Sequence, residues 1–582
     1  MPDPAMPRLT HPTPRVHSLA RRIAQRLRRS ARWPAAVAAL LLALPTAAQP
    51  PAAPPAPPAA AADPSEPPRF DVLEYRVEGN TRLPRIAVER AVIAHLGRAR
   101  TLADVERARE SLEQAYHGAG YLTVVVAIPP QRVDAGIVRL QVTEAPVERL
   151  RIVGARHFLP SQVRAGAPTV AEGRVPNFQD FQAELVALNR HPDRRVTPVL
   201  RPGRTPGTVE IDLRVQDELP LHGSLSLDDR HSRDTTRTRL GASLRWDNLW
   251  ARQHSLGLTV QTAPERPRDS RVLSLNYSLP LPSGDMLALY GVRSDSDVTA
   301  LGDLQVLGRG LIAGLRYIRP LPIGEGAFHS LSAGVDYKDF DQTVALVGAG
   351  GFASPIEYLP FTLGWDASWF GEQRNTRAGV SANFHFGGLV GDPQQFADKR
   401  FRGRPSYFYL RGQVSHERGD AAGAGLALRL RWQLADQALI ANEQFVIGGA
   451  DSVRGYYESA AVGDRGLSAS LELRSADLLR RATAGRGEPA AAGAAATAAA
   501  PSPWRLQARA FVDAGTVEVI DPITATDHFT LASLGLGLSL SHATAPTGRG
   551  LDASLYWAYP LRSVGATERG DHRLHFSLSY DW

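Results

Sequence analysis

The last nine residues of the chain, Leu574 to Trp582 (LHFSLSYDW), decide the fold class. Polar residues alternate in this stretch with five apolar or aromatic ones, which are Leu574, Phe576, Leu578, Tyr580 and Trp582. A period of two residues is that of a β-strand with one apolar and one polar face. The stretch therefore predicts an amphipathic strand at the C-terminal end of the sequence.

The same alternation extends back to about Glu218, for example through residues 271–279 (RVLSLNYSL) and 426–434 (LALRLRWQL). Apolar outer and polar inner faces are typical of a β-barrel with lipid outside and water inside. Roughly 365 residues, at about 23 per strand and connection, give about 16 antiparallel strands. A soluble β-sandwich is the alternative, but this length is large for one sandwich domain. The sequence predicts a membrane β-barrel over residues 218–582.

Two small α+β units precede the barrel. The hexapeptides at residues 75–80 (YRVEGN) and 150–155 (LRIVGA) align at an offset of 75 residues, which indicates two copies of one unit. In the first copy one strand, from Val72 to Val77, is followed by two helical stretches and two alternating strands. We expect domains at residues 70–145 and 146–217, each in the order β-α-α-β-β.

The first 69 residues have a targeting and a linker composition. Residues 1–48 combine an arginine-rich start with the apolar run Ala35 to Leu44, which is typical of a secretory signal peptide. Residues 49–69 are mostly Pro and Ala and predict an extended linker, whose length and proline-rich composition cannot hold a stable plug helix. The signal region holds eight Arg and one Asp, so it accounts for the whole net charge of +7. The basic balance therefore does not indicate a nucleic-acid partner.

Enzymatic patterns are missing from the sequence. The chain has no Cys, which excludes thiol nucleophiles and thiolate metal sites. Neither of its two lysines, Lys338 and Lys399, follows a Gly, so a phosphate-binding loop of the GK type is absent. No Ser lies in a Gly-x-Ser-x-Gly elbow. We predict no enzyme, no catalytic or metal site and no cofactor.

One glycine-rich loop stands out, at residues 443–466 (EQFVIGGADSVRGYYESAAVGDRG). It contains Arg454 next to Gly455, and Asp513 follows in the later motif FVDAG. An unpaired aspartate in a barrel lumen is costly, and an arginine from a folded-in loop can form a two-pronged pair with it. The sequence therefore predicts that Arg454 pairs with Asp513 inside the pore. An ordinary surface loop with a solvated arginine is the alternative.

These motifs resemble the two-partner secretion transporter family, the TpsB-type outer-membrane haemolysin and adhesin secretion and activation proteins. The resemblance extends over residues 70–582 and rests on two motifs behind two β-α-α-β-β units, namely Val453-Arg454-Gly455-Tyr456 and Phe511-x-Asp513-x-Gly515. It implies two periplasmic polypeptide-transport-associated (POTRA) domains and a 16-stranded barrel in the outer membrane of a Gram-negative bacterium. The implied function is capture of an unfolded haemolysin- or adhesin-like exoprotein, through its N-terminal secretion domain, and its translocation to the cell surface.

The resemblance also implies roles for single residues and for partners. Gly455 would allow the bend of the loop, and Tyr456 would pack against the barrel wall. The C-terminal aromatic strand, with Phe576, Leu578, Tyr580 and Trp582, resembles the assembly signal of outer-membrane barrels. We therefore expect the barrel-assembly machinery, periplasmic chaperones and outer-membrane lipid as partners, and a monomer. The Ala-rich insertion at residues 482–503 is predicted to be a flexible tether on the periplasmic side.

Two other functions remain open at this point. A barrel assembly or insertion factor of the same superfamily would share the fold, but such factors usually carry more periplasmic units than the two found here. A passive porin or receptor would need neither the two units nor the arginine loop.

Overall fold

The computed structural model describes residues 68–133, 135–301, 304–321, 324, 326–346, 349–480, 503–523, 525–544 and 549–582. The predicted signal peptide, linker residues 49–67 and insertion residues 482–502 lie outside the described residues. Arg69–Trp582 forms one compact unit, to which every element below belongs.

The first small domain packs two helices on a mixed sheet. Its elements are β1 (Phe70–Val72), β2 (Glu74–Glu78), α1 (Arg85–Val92), β3 (Gly97–Arg100), α2 (Leu102–Gly118), β4 (Val124–Ala127) and β5 (Ile137–Glu144). The sheet has the order β2-β5-β4, with β2 and β5 parallel. Leu112 and Tyr116 of α2 are fully buried in its core, as the helical spacing predicts.

A small second sheet in this domain differs from the prediction of one continuous strand at Val72–Val77. The sequence did not predict β3, which pairs with β1, and the strand is interrupted at Leu73. The backbone N–H groups of Leu73 and Glu74 both donate to the Gly136 carbonyl, at 2.7 and 3.2 Å, so these hydrogen bonds stabilise a bend between β1 and β2.

The second small domain repeats the first. It consists of β6 (Val147–Val153), α3 (Pro160–Ala165), α4 (Phe178–Leu188), β7 (Arg194–Pro202) and β8 (Val209–Asp217), with the sheet order β6-β8-β7. Gly79 and Gly154, the shared glycines of the repeated hexapeptides, follow equivalent strands at φ of 85° and 92°. A Cβ would lie 2.3 Å from Val142 O at Gly79 and 2.5 Å from Val215 O at Gly154. Space and backbone conformation therefore both require glycine at the two positions.

The remainder of the chain forms a closed antiparallel β-barrel. Its wall segments are β9 (Leu221–Asp228), β10 (Arg239–Leu249), β11 (His254–Thr262), β12 (Ser270–Pro280), β13 (Met286–Leu301), β14 (Leu304–Leu321), β15 (Ala327–Leu346), β16 (Ala349–Tyr358), β17 (Phe361–Gly371), β18 (Arg374–His385), β19 (Tyr407–Gly419), β20 (Gly425–Ala435), β23 (Arg465–Arg474), β24 (Trp504–Glu518), β25 (His528–Thr544), β26 (Arg549–Pro560) and β27 (Arg573–Asp581). β16 and β17 pair with successive halves of β15 and form one strand with a break between them. The wall therefore has sixteen strands, which confirms the predicted number.

The faces of the wall alternate as predicted. In β12, Leu273 and Leu275 are 48% and 49% exposed on the outside, whereas Ser274 between them is buried. The barrel closes where β27 pairs with β9 over five residue pairs, from Ser577↔Asp228 to Asp581↔Ser224. No helix among the described residues is long and apolar enough to cross a membrane.

A loop folded into the barrel

The segment between β20 and β23 lies against the inner wall of the barrel. It contains two short strands, β21 (Phe445–Ile447) and β22 (Ala461–Gly463), which pair as an antiparallel hairpin. Residues 448–460, including the VRGY motif, form its tip. Phe445, Ile447, Val453 and Tyr456 of this hairpin pack on Val517 and Leu531 of the wall strands β24 and β25. We call residues 436–464 the inner loop.

Arg454 is buried at the centre of this contact, with 5% of its surface exposed. Its Nε donates to Asp513 Oδ2 at 2.8 Å and its Nη2 donates to Asp513 Oδ1 at 2.9 Å. The backbone N–H of Arg454 adds a third bond to Asp513, at 3.1 Å. The guanidinium carbon lies 3.5 Å from the ring centroid of Phe511. The structure thus brings Arg454 together with Phe511 and Asp513 of the FVDAG motif.

A second carboxylate, which the sequence analysis did not predict, also bonds Arg454. Glu472 of β23 accepts from Arg454 Nη1 at 2.8 Å and also pairs with Arg474 and Arg509, at 3.2 and 3.0 Å. Glu472 lies opposite Phe511 on the neighbouring strand β24. Its position on the same face of the wall as Phe511 is the sequence signal that could have identified it. The group therefore contains three guanidinium groups and two carboxylates, of which the Arg474 and Arg509 side chains are half-buried.

The other residues of the VRGY motif are fixed by contacts of their own. Gly455 has φ of 92° and donates its N–H to His575 Nε2 at 2.9 Å. His575 belongs to β27, and its Nδ1 lies 3.2 Å from Asp229 Oδ2 just beyond β9. The hydroxyl of Tyr456 lies 3.0 and 2.8 Å from the carbonyl oxygens of Ala532 and Arg562. The tip of the inner loop is therefore bound beside the seam where the barrel closes.

Gly515, the last residue of the FVDAG motif, gives the inner loop room to approach the wall. A Cβ at Gly515 would lie 3.2 Å from Val453 Cγ2 and 3.3 Å from Ile447 Cδ1. Both neighbours are fully buried, so they have little space to move aside. A side chain at position 515 would therefore press on the inner loop, and glycine avoids this conflict.

A buried ion pair fixes the base of the inner loop at a point that the sequence analysis did not single out. The Glu443 carboxylate accepts from Lys338 Nζ at 2.6 Å and from the hydroxyls of Tyr358 and Tyr409, at 2.7 and 2.6 Å. Lys338, on β15, is one of only two lysines in the chain. Because 105 residues separate Lys338 from Glu443, no local pattern reports the contact.

The end of the inner loop has a third anchor. The fully buried carboxylate of Asp464 accepts from the backbone N–H groups of Leu439 and Ile520, at 2.8 and 2.6 Å. It also lies 3.4 Å from Arg400 Nη2. Side-chain hydrogen bonds and ion pairs therefore hold the inner loop at its base, its tip and its end.

The four residues of the predicted assembly signal lie in the wall strand β27 and at its end. Leu578, Tyr580 and Trp582 are 41%, 47% and 36% exposed on the outer face, and Phe576 is half-buried. Trp582 exchanges two backbone hydrogen bonds with Gly223, at 3.0 and 3.1 Å. The residues of the predicted assembly signal therefore form one side of the seam where the barrel closes.

Comparisons with known proteins agree with this architecture. Residues 70–145 match the family model described as "POTRA domain, ShlB-type". Residues 207–307 and 361–540 match the model of the "Haemolysin secretion/activation protein ShlB/FhaC/HecB" family. The fold is thus that of an outer-membrane transporter barrel with periplasmic POTRA domains.

Individual relatives are distant but cover most of the chain. The chain is 22% identical over 431 residues to the outer membrane transporter CdiB of Dickeya dadantii, covering 69% of this chain and 71% of that protein. It is 22% identical over 382 residues to the heme/hemopexin transporter protein HuxB of Haemophilus influenzae, covering 64% and 66%. The solved structure of CdiB from Escherichia coli superposes with a TM-score of 0.57 at 16% identity, over 89% of this chain and 92% of that one. The chain belongs to the two-partner secretion transporter family.

Proposed function

We propose that the chain captures an unfolded exoprotein in the periplasm through its POTRA domains and translocates it through the barrel to the cell surface. The observation that carries the proposal is the buried pairing of Arg454 with Asp513, which fastens a loop inside the lumen. A loop held by side-chain pairs, rather than by the strand ladder of the wall, can leave the lumen without unfolding the barrel. Family membership and the names of the transporters CdiB and HuxB support the same function.

The two three-stranded sheets of the small domains have four edges, and three of these are occupied. The outer edge of β4 donates Val126 N–H to Glu113 at 3.1 Å, and that of β6 donates Leu150 N–H to Glu172 at 3.1 Å. On β7, the Asn189 amide bonds both Val196 N–H and Val196 O, at 2.6 and 3.0 Å. These side chains block strand addition at those edges.

The remaining edge, β2 of the first domain, is the proposed capture site. Among the described residues, the backbone of Tyr75 to Glu78 bonds to β5 on one side and makes no hydrogen bond on its other side. An extended segment of an unfolded exoprotein can add to such an edge through main-chain hydrogen bonds, with little demand on its side chains.

The lumen also offers a passage beside the inner loop. Two adjacent cavities of about 350 and 340 Å³ lie along β9 to β13 and share Ser243 and Thr259. Hydroxyl and amide groups are prominent in their linings. Such groups can donate to and accept from the backbone of an extended polypeptide, so this wall is a suitable track for an unfolded chain.

Site-directed cross-linking tests the capture site. Because the chain has no Cys, Arg76→Cys on β2 and Thr197→Cys on the blocked edge β7 each provide a unique attachment point for a photo-cross-linker. Cells that also produce the exoprotein are expected to give a cross-link to it from position 76 and not from position 197. Equal cross-linking from both positions would contradict capture at β2.

Depletion separates secretion from the assembly function. A secretion transporter is expected to lower the export of one exoprotein and leave other outer-membrane barrels at their normal levels. A broad fall in those barrels would overturn the proposal in favour of an assembly factor.

A further inference from the structure

A group of metal-ligand side chains lies where the second POTRA domain meets the barrel. It consists of Asp193 on the turn before β7, His222 on β9 and Asp247 on β10, and their ligand atoms all lie within 4.8 Å of one another. His222 Nε2 is 3.0 Å from Asp193 Oδ2 and 3.6 Å from Asp247 Oδ2. The three side chains come from two separately folded parts of the chain.

The backbone holds these side chains in place independently of their own contacts. The N–H of Glu218, in the connection between the two parts, donates to the Asp193 carbonyl at 2.9 Å. The N–H of Asp247 donates to the carbonyl of Pro220 in the same connection, at 2.8 Å. The short connection is therefore bonded to both carboxylate-bearing residues, so the group is preorganised.

The carboxylates of this group outnumber the guanidinium groups that pair with them. The side chains of Asp193 and Asp247 are 7% and 13% exposed. Asp247 pairs with Arg245 at 2.9 Å. Within the part of the chain that the structure describes, the ion-pair partners of Asp193 are the imidazoles of His191 and His222, at 3.7 and 3.0 Å. Asp193 is buried and Asp247 is half-buried, and among the described residues Arg245, which bonds Asp247, is the one guanidinium paired with either carboxylate. The group can therefore accept a further cation.

The spacing suits a transition metal. Zinc binds imidazole nitrogen and carboxylate oxygen at about 2.0–2.2 Å, so tetrahedral ligand atoms lie about 3.4 Å apart. The separations of 3.0 and 3.6 Å measured from His222 lie on either side of this value. Imidazole favours zinc over magnesium and calcium, which prefer all-oxygen sites.

We propose that Asp193, His222 and Asp247 bind a zinc ion that fastens the second POTRA domain to the base of the barrel. The three residues leave a fourth position for water, as in zinc sites with three protein ligands. Bound zinc would restrict any turning of the second domain about the connection Glu218–Pro220, because ligands from both sides of this connection would have to separate first. The site requires neither an exoprotein nor the inner loop, so its test is independent of export.

Zinc titration of the full-length protein tests the site. Protein purified in detergent and stripped with EDTA is expected to bind one equivalent of Zn²⁺ by calorimetry, and Co²⁺ in its place is expected to show the visible absorption of a four-coordinate site. His222→Ala is expected to weaken binding by more than the roughly 10–100-fold that loss of an outer partner of a metal ligand costs.

Two further variants make the result decisive. His528→Ala removes a histidine that also pairs with an aspartate, Asp527 at 2.9 Å, but is 72% exposed, and it should leave zinc binding unchanged. Asp193→Asn keeps the side-chain shape and tests the site if the alanine variant does not fold into a heat-modifiable barrel. Absence of stoichiometric zinc binding in the wild type, or equal binding by the wild type and a folded His222 or Asp193 variant, would overturn the proposal.

Discussion

Replacement of Arg454 by alanine is expected to release the tip of the inner loop while the barrel stays closed. The substitution removes four side-chain hydrogen bonds, two to Asp513 and one each to Glu472 and Ser470. It also removes the stacking on Phe511. The strand ladder of the wall does not involve the Arg454 side chain, so the wall itself should remain intact.

The two carboxylates are affected to different extents, and this sets the size of the effect. Glu472 would keep Arg474 and Arg509, whereas Asp513, 1% exposed, would keep only the backbone N–H of residue 454. Breaking a buried pair by removal of one partner typically costs about 3–5 kcal/mol. At about 1.4 kcal/mol per factor of ten, the released loop should become roughly 10²- to 4 × 10³-fold more populated. Arg454→Lys should recover part of this, because it keeps the charge but loses the two-pronged geometry.

Single-channel conductance and export together provide the assay. The Arg454→Ala barrel is expected to show more frequent large openings in planar bilayers, and cells that carry it should export less exoprotein at equal barrel abundance. Arg309→Ala is the control, because Arg309 pairs with Asp295 on the exposed surface, where ion pairs contribute at most about 1 kcal/mol. If Arg454→Ala behaves like Arg309→Ala in both measurements, the assigned role of the pair is refuted.

Three further changes probe the other contacts of the inner loop. Lys338→Met should lower the unfolding temperature of the barrel, measured by heat-modifiable electrophoresis, by more than the double change Lys338→Met/Glu443→Leu does. Only the single change leaves a buried charge unpaired. A larger decrease for the double change would count against a buried pair. Tyr456→Phe should raise the open probability less than Arg454→Ala, since the hydroxyl bonds only neutral backbone groups, at about 1 kcal/mol for each hydrogen bond, and an equal rise would contradict this ranking. Gly515→Val should displace the inner loop by steric conflict and reduce export at equal abundance; normal export would show that the close approach at Gly515 is dispensable.

Local periodicity was sufficient to predict the fold class. The two-residue alternation reports which face of a strand meets lipid, and it holds in β12 as it does in β27. The repeated glycines at positions 79 and 154 marked the two small domains, because each must adopt a backbone conformation that other residues avoid. The break at Leu73 was missed because it depends on hydrogen bonds to Gly136, some 60 residues away.

Within the inner loop site, the sequence predicted one contact, between a residue of the VRGY motif and a residue of the FVDAG motif. Arg454 and Asp513 could be paired because an inward-facing aspartate needs a cation. Glu472, His575 and Lys338 were not found, since each lies on a different wall strand and meets the loop only after the barrel has closed. The stagger of sixteen strands decides which inward residues face one another, and no window of the sequence contains that information.

The most direct test of the account is the distribution of the exoprotein between periplasm and culture medium, in cells with and without this chain. We expect one large protein to be lost from the medium when the chain is absent, and to be retained or degraded in the periplasm, while other outer-membrane barrels keep their levels. An unchanged medium together with reduced levels of other barrels would contradict a dedicated secretion transporter.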